Sequence, residues 1–138
     1  MNNAFVKLPN RGLIHLEEED RHTFLQHLIT NDIKKLSPQT PLYAWLLTPQ
    51  GKFLHDFYII EGNGFTLLDC EGGARAQDLY KRLNMYRLRA KVKISAEEHS
   101  EVYSDFSFKR SFEKPDGEEK PFSEWDERRI CAGIPDGS

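Results

Sequence analysis

Apolar and polar positions along the chain change period several times, and each change predicts an element. Between Arg11 and Leu16, Ile14 and Leu16 flank His15, the alternation of a strand. The acidic cluster Glu17-Glu18-Glu19-Asp20 follows, with Asp20 placed to cap a helix in which Phe24, Leu25, Leu28 and Ile29 fall at helical spacing. That helix is expected to end near Thr30-Asn31-Asp32, and Pro38 and Pro41 mark a loop. Leu42 to Thr48 and Lys52 to Ile60 read as two strands around the turn Thr48-Pro49-Gln50-Gly51. Glu61-Gly62-Asn63-Gly64 supplies a second turn and Phe65 to Asp69 a third strand, so an antiparallel meander is predicted. Gly72 and Gly73 open a second helix in which Ala76, Leu79, Tyr80 and Leu83 recur, closing around Asn84 to Leu88. Alternation resumes at Lys91-Val92-Lys93-Ile94 and at Glu101-Val102-Tyr103. The order strand, helix, three strands, helix, two strands indicates an α+β fold, an antiparallel sheet with helices packed on one side.

Composition sets the limits of this unit. After Phe112 the chain becomes charged and turn-rich, so residues 1–110 are expected to form one α+β domain and 111–124 a charged surface loop. Residues 125–138, with Trp125 and Ile130, read as the start of a further region that is cut short. Nineteen basic against 22 acidic residues give a formal charge of -3, which argues for neither nucleic acid nor an anionic membrane as partner. The one basic run, Lys81-Arg82 with Arg87, Arg89, Lys91 and Lys93, reads as a solvated helix end running into a strand. Two distant cysteines, Cys70 and Cys131, fit free thiols in a reducing compartment. No leader peptide or run of membrane-spanning length is read, so the expected location is cytoplasmic.

Candidate chemistry is sparse. His22 and His27 lie on different helix faces with no Cys or carboxylate to complete a tetrahedral set, so no metal is expected. Nucleotide-binding and hydrolytic signatures are absent, and no catalytic residue is assigned. The hairpin Leu47 to Phe57 stands out because it carries His55 and Asp56 between large apolar side chains. On an alternating strand these two point to opposite faces, and whichever is buried requires a hydrogen bond or a ligand. One exposed and one satisfied within the core is an equally good reading. Tyr43 and Trp45 share a strand face, where rings serve more often as core than as a stacking platform.

Five segments in order, Arg11-Gly12-Leu13-Ile14, Phe24-Leu25-Gln26, Thr30-Asn31-Asp32, Leu47-Thr48-Pro49-Gln50-Gly51-Lys52 and Leu83-Asn84-Met85-Tyr86-Arg87-Leu88-Arg89, together resemble the YgfZ-type folate-binding proteins. Arg129 with Gly133-Ile134-Pro135 is similar to that family's R-x-x-x-G-I-P stretch. The resemblance implies a fold shared with the T-protein of glycine cleavage, tetrahydrofolate as ligand, and a role in assembling or repairing iron-sulfur proteins. It implies the amino-terminal part alone, because the family's K-G-C-Y-x-G-Q-E motif would lie beyond Ser138. It also implies a mitochondrial matrix location for a eukaryotic protein, with iron-sulfur proteins or assembly factors as partners.

By the same resemblance Tyr43, His55, Asp56 and, more loosely, Asp69 line the folate pocket. Tyr43 would set a ring against the pterin, and Asp56 or Asp69 would accept hydrogen bonds from its amino group. The aminomethyltransferases of the superfamily carry adjacent aspartates where this chain has His55-Asp56, and a histidine does not reproduce a permanently anionic carboxylate. The chain is therefore expected not to be an enzyme as it stands, although folate-dependent aminomethyl transfer is kept as an outside alternative. The other alternative is a non-catalytic interaction module or gene remnant that self-associates as a homo-oligomer through an exposed interior face.

Overall fold

Strand pairing organises the molecule around β1 (Ala4–Glu17), which hydrogen-bonds to β4 (Phe65–Glu71) on one side and β5 (Lys93–Asp105) on the other, antiparallel in both cases. The computed structural model describes residues 4–135. Beyond β4 come β3 (Phe53–Glu61) and β2 (Leu42–Leu47), so β2, β3 and β4 form the expected meander. The sheet order is β2-β3-β4-β1-β5-β6, with β6 at Arg110–Ser111. The turn at Thr48-Pro49-Gln50-Gly51 closes as predicted, with Gly51 at φ 86° where a side chain would be strained.

Helix α1 (Arg21–Gln26) and helix α2 (Ala74–Arg87) pack on one face. Phe24 and Leu25 of α1 and Ala76, Leu79 and Leu83 of α2 meet Ile14, Leu16, Ala44, Leu46, Phe57, Ile59 and Leu68 of the sheet. A Cβ at Gly12 would come within 2.8 Å of the Ala76 Cβ, so the missing side chain is what lets α2 lie against β1. Asp20 stands at the N-cap of α1 as expected, but its carboxylate accepts from the Lys91 amide at 2.8 Å and so ties the helix start to the segment that leads into β5.

Several features differ from the sequence expectation. Residues 93–94 of the strand expected at 91–94 and all of the one expected at 101–103 belong to one long strand, β5, whose exposed polar middle had read as an interruption; Lys91 and Val92 precede it. Within 111–124, Glu118–Glu119 forms β7, parallel to the first residues of β1. Helix α3 (Phe122–Ala132) follows and buries Trp125 against Val6, Leu8, Leu13 and Val102. Leu13 and Ile14 are consecutive in a strand, so this second cluster lies on the face opposite α1 and α2. A bulge at Leu8–Leu13, with Asn10 at φ 50°, shifts the parity so that Val6, Leu8 and Leu13 share that face. Residues 136–138, the end of the region expected from 125 onward, lie outside the described residues.

Candidate functional site

The face opposite α1 and α2 holds the candidate site, because Ala44, Leu46 and Phe57 take the helix side and strand alternation sends their neighbours the other way. Register pairs Tyr43 with Tyr58 and Trp45 with Asp56, so four side chains from β2 and β3 converge. Tyr43 Oη donates to Asp56 Oδ2 at 2.5 Å, and Trp45 Nε1 donates to Tyr43 Oη at 3.0 Å. Each donor in this relay has its acceptor, and the relay ends on a carboxylate only 7% exposed. Burial, then the hydrogen bond to Asp56, pushes the Tyr43 phenol up to about 12, so it stays a proton donor across the physiological range. Trp45 and Phe53 stand 45% and 50% exposed with rings edge to face at 5.6 Å, while Tyr43 and Tyr58 tilt together at 5.1 Å. The patch is aromatic on its surface and anionic beneath.

Edge contacts hold β2 in place. Thr30 donates its amide to the Trp45 carbonyl at 3.1 Å, and its hydroxyl accepts the Trp45 amide at 3.0 Å. Asn31 Nδ2 donates to the Tyr43 carbonyl at 3.0 Å. Asp32 caps the short 3-10 turn Ile33–Lys35, its carboxylate accepting from the Lys34 amide at 3.0 Å. Thr30 and Asn31 thus satisfy a strand edge that would otherwise be open, and they do so at the two residues that bear Tyr43 and Trp45.

Asp69 lies one strand over, paired with Tyr58, and is fully buried. Arg11 Nε donates to its Oδ1 at 2.9 Å, and Arg110 Nη1 donates to its Oδ2. Arg110 also sits 4.3 Å over the Tyr58 ring, and Tyr58 Oη donates to the Pro135 carbonyl at 2.7 Å. Asp69 therefore holds two guanidinium groups at the border of the patch, with one carboxylate oxygen on each. Arg129, from the R-x-x-x-G-I-P stretch, donates to the Ile134 carbonyl at 3.0 Å and helps lay Pro135 against Tyr58.

His55 is not brought to this face. It points under α2, where Nε2 meets Asp78 Oδ2 at 2.7 Å, and Asp78 accepts from Arg82 at the same distance. Burial lowers the imidazole pKa below 6.5 despite the opposing hydrogen bond to Asp78, so the neutral ring is favoured. Tyr43, Asp56 and Asp69 share a face and His55 is separated from them by strand alternation. Tyr58 and Arg110 belong to the site but carried no motif in the sequence; Arg11 stands in the first of the five segments, without a sign of its partner 58 residues away. Cys70, buried beneath the helices, has its thiol pushed up to about 12 by burial, which makes it inert.

No protein-family model matches the chain. It is 36% identical over 114 residues to the mitochondrial iron-sulfur cluster assembly factor IBA57 homolog of Coccidioides immitis, a match covering 70% of this chain and 26% of that protein. The corresponding protein of Aspergillus clavatus is 33% identical over 119 residues, covering 71% of this chain and 25% of its own length. The chain is a homologue of the IBA57 factors over that stretch. It spans about a quarter of the length of the curated relatives it matches. Among solved structures, the glycine cleavage system aminomethyltransferase T from Bartonella henselae superposes with a TM-score of 0.64 at 16% identity, over 97% of this chain and 33% of that one. The IBA57-related chain thus has the T-protein fold foreseen by the resemblance, at an identity that speaks to fold alone.

Proposed function

We propose that this chain is a tetrahydrofolate-binding segment of an iron-sulfur cluster assembly or repair factor. Homology to IBA57 factors supports the cluster-assembly role, and the T-protein fold supports the folate role. The observation that carries the reading is the Tyr43–Asp56 pair beneath exposed aromatic rings. A pterin is a flat ring with an exocyclic amine and ring N–H donors, and it calls for both a π-surface and a carboxylate acceptor. Tyr43 and Trp45 would supply the surface and Asp56 the acceptor, whereas Asp69 already serves Arg11 and Arg110. Assembly factors or client iron-sulfur proteins are the partners this role requires. The mitochondrial matrix is the compartment it suggests where the source cell has one, and the cytoplasm otherwise.

Isothermal titration with tetrahydrofolate tests the proposal. Saturable binding is expected, weakened about tenfold or more by Asp56→Asn, since a hydrogen bond to a charged group contributes about 1.5–3 kcal/mol. Equal affinity in the variant, or no binding by the wild type, rejects it. Aminomethyl transfer is not favoured, because His55 faces α2 and not the Asp56 side. Self-association through the same face remains a second reading, favoured by the exposed Trp45–Phe53 pair. A monomer by sedimentation at high concentration removes it.

A further inference from the structure

The basic run between residues 81 and 93 has six lysines and arginines and no acidic residue, in a chain whose formal charge is -3. Helix α2 ends inside it, and cations at a helix C-terminus complement the dipole, which accounts for Arg87. It does not account for the rest. Arg82 pairs with Asp78 and Lys91 with Glu19, but Lys81, Arg87 and Arg89 are exposed with no ion pair among the described residues. Beside them Met85 is 64% and Leu88 88% exposed, the two most exposed large apolar side chains described. Leu88 is moreover held at φ 43° and ψ -111°, a conformation natural to glycine and strained for leucine. A leucine that is both exposed and strained gains nothing for the isolated fold.

Next to this turn, the surface between α1 and α2 is hollowed rather than flat. Two depressions of about 370 and 290 Å³ share His27, Leu28 and Tyr86. Phe24 and Ala90 line the first and Leu46 and Leu47 the second, so the floor is largely apolar and runs from the α1–α2 cleft to the β2–β3 hairpin. This groove lies on the helix side of the sheet, away from Tyr43 and Asp56.

We propose that the Tyr86 groove, with Met85, Leu88 and the cations Arg87 and Arg89 that follow Tyr86, docks a short acidic segment of a partner protein that carries large apolar side chains. Apolar anchors enter the recess while carboxylates of the same segment meet these cations, the division between buried centre and charged rim typical of peptide grooves. The recess lined by Phe24, Leu28, Leu46 and Tyr86 favours a peptide whose side chains can enter it over a lipid surface, which would engage the projecting Met85 and Leu88 and leave the recess unfilled. The inference is independent of folate binding.

A random peptide library selected against the folded chain, followed by anisotropy titration of the recovered peptides with fluorescein labels, decides the matter. The expected peptides place Asp or Glu beside Leu, Phe or Trp. The Arg87→Glu/Arg89→Glu pair is expected to weaken them by about tenfold or more, since each charge pair at a partly desolvated contact is worth a few-fold. Both residues are exposed, so circular dichroism should be unchanged. Leu88→Gly is expected to leave stability undiminished, because it relieves the strained φ, yet to weaken peptide binding. Lys7→Ala, exposed on β1 and outside both the groove and the Tyr43–Asp56 face, should leave peptide affinity unchanged. Peptides without acidic enrichment, or affinity indifferent to charge reversal and to Leu88→Gly, overturn the proposal. Binding confined to vesicles of equal parts phosphatidylcholine and phosphatidylserine overturns it in favour of a membrane surface.

Discussion

Tyr43 donates to a carboxylate that little water reaches, so replacing it by phenylalanine removes a charge-assisted bond that solvent cannot fully restore. Tyr43→Phe is expected to cost about 1–3 kcal/mol by urea unfolding, and to alter Trp45 emission because the indole N–H loses its acceptor. His55 gives a pH signature. Its pKa is lowered below 6.5 in the folded chain, so between the lowered value and 6.5 the unfolded chain binds more protons and stability rises with pH. Acidification below 6.5 should therefore lower the urea midpoint, and His55→Gln should flatten that slope; a slope that survives the substitution excludes His55 as its source. Further into acid, Asp78, held below 3.8 by Arg82 and then His55, adds its own loss. The opposed directions of His55 and Asp56 were legible from alternation alone. The Asp69 ion cluster was not, because Arg11 and Arg110 lie 58 and 41 residues away and only the sheet register brings them in.

Elements were legible where apolar residues repeat over a whole face. Helix α2 and the β2-β3-β4 meander do so, and both form as their spacing predicts. Helix α3 escaped because a single tryptophan does the work of a stripe: Trp125 is its only buried residue, with its indole donating to Ser104 Oγ at 3.0 Å. The edge of β2 was hidden for a related reason, since Thr30 and Asn31 have a sufficient local explanation as helix-ending residues. Thr30→Val keeps the shape of the side chain but removes the hydroxyl that accepts the Trp45 amide. A destabilisation of about 1 kcal/mol is expected, with hydrogen exchange at the Trp45 amide accelerating more than at the central strands. Uniform acceleration throughout the sheet would mean that the Thr30 contact is not local to the site.

For the molecule as a whole, the ordered set of short segments carried more than any one of them, and the T-protein-like α+β sheet follows from it. Which face each residue would occupy needed the structure. Helices α1 and α2 cover one side of the sheet, α3 covers part of the other, and Tyr43, Trp45, Phe53 and Tyr58 occupy the portion of that second side formed by β2 and β3. The bulge in β1 helps to make this division, because it turns Val6 and Leu8 toward α3 while Ile14 and Leu16 stay under the other helices.

Folate binding was proposed for this second face on the strength of the Tyr43–Asp56 pair beneath exposed aromatic rings. Amide and indole ¹H–¹⁵N spectra recorded during titration with tetrahydrofolate test it most directly. Saturable shifts are expected at the Trp45 indole and at the amides of Tyr43, Asp56 and Tyr58, with the Tyr86 groove unmoved. Shifts gathered on the α1–α2 side, or none at saturating folate, would contradict it.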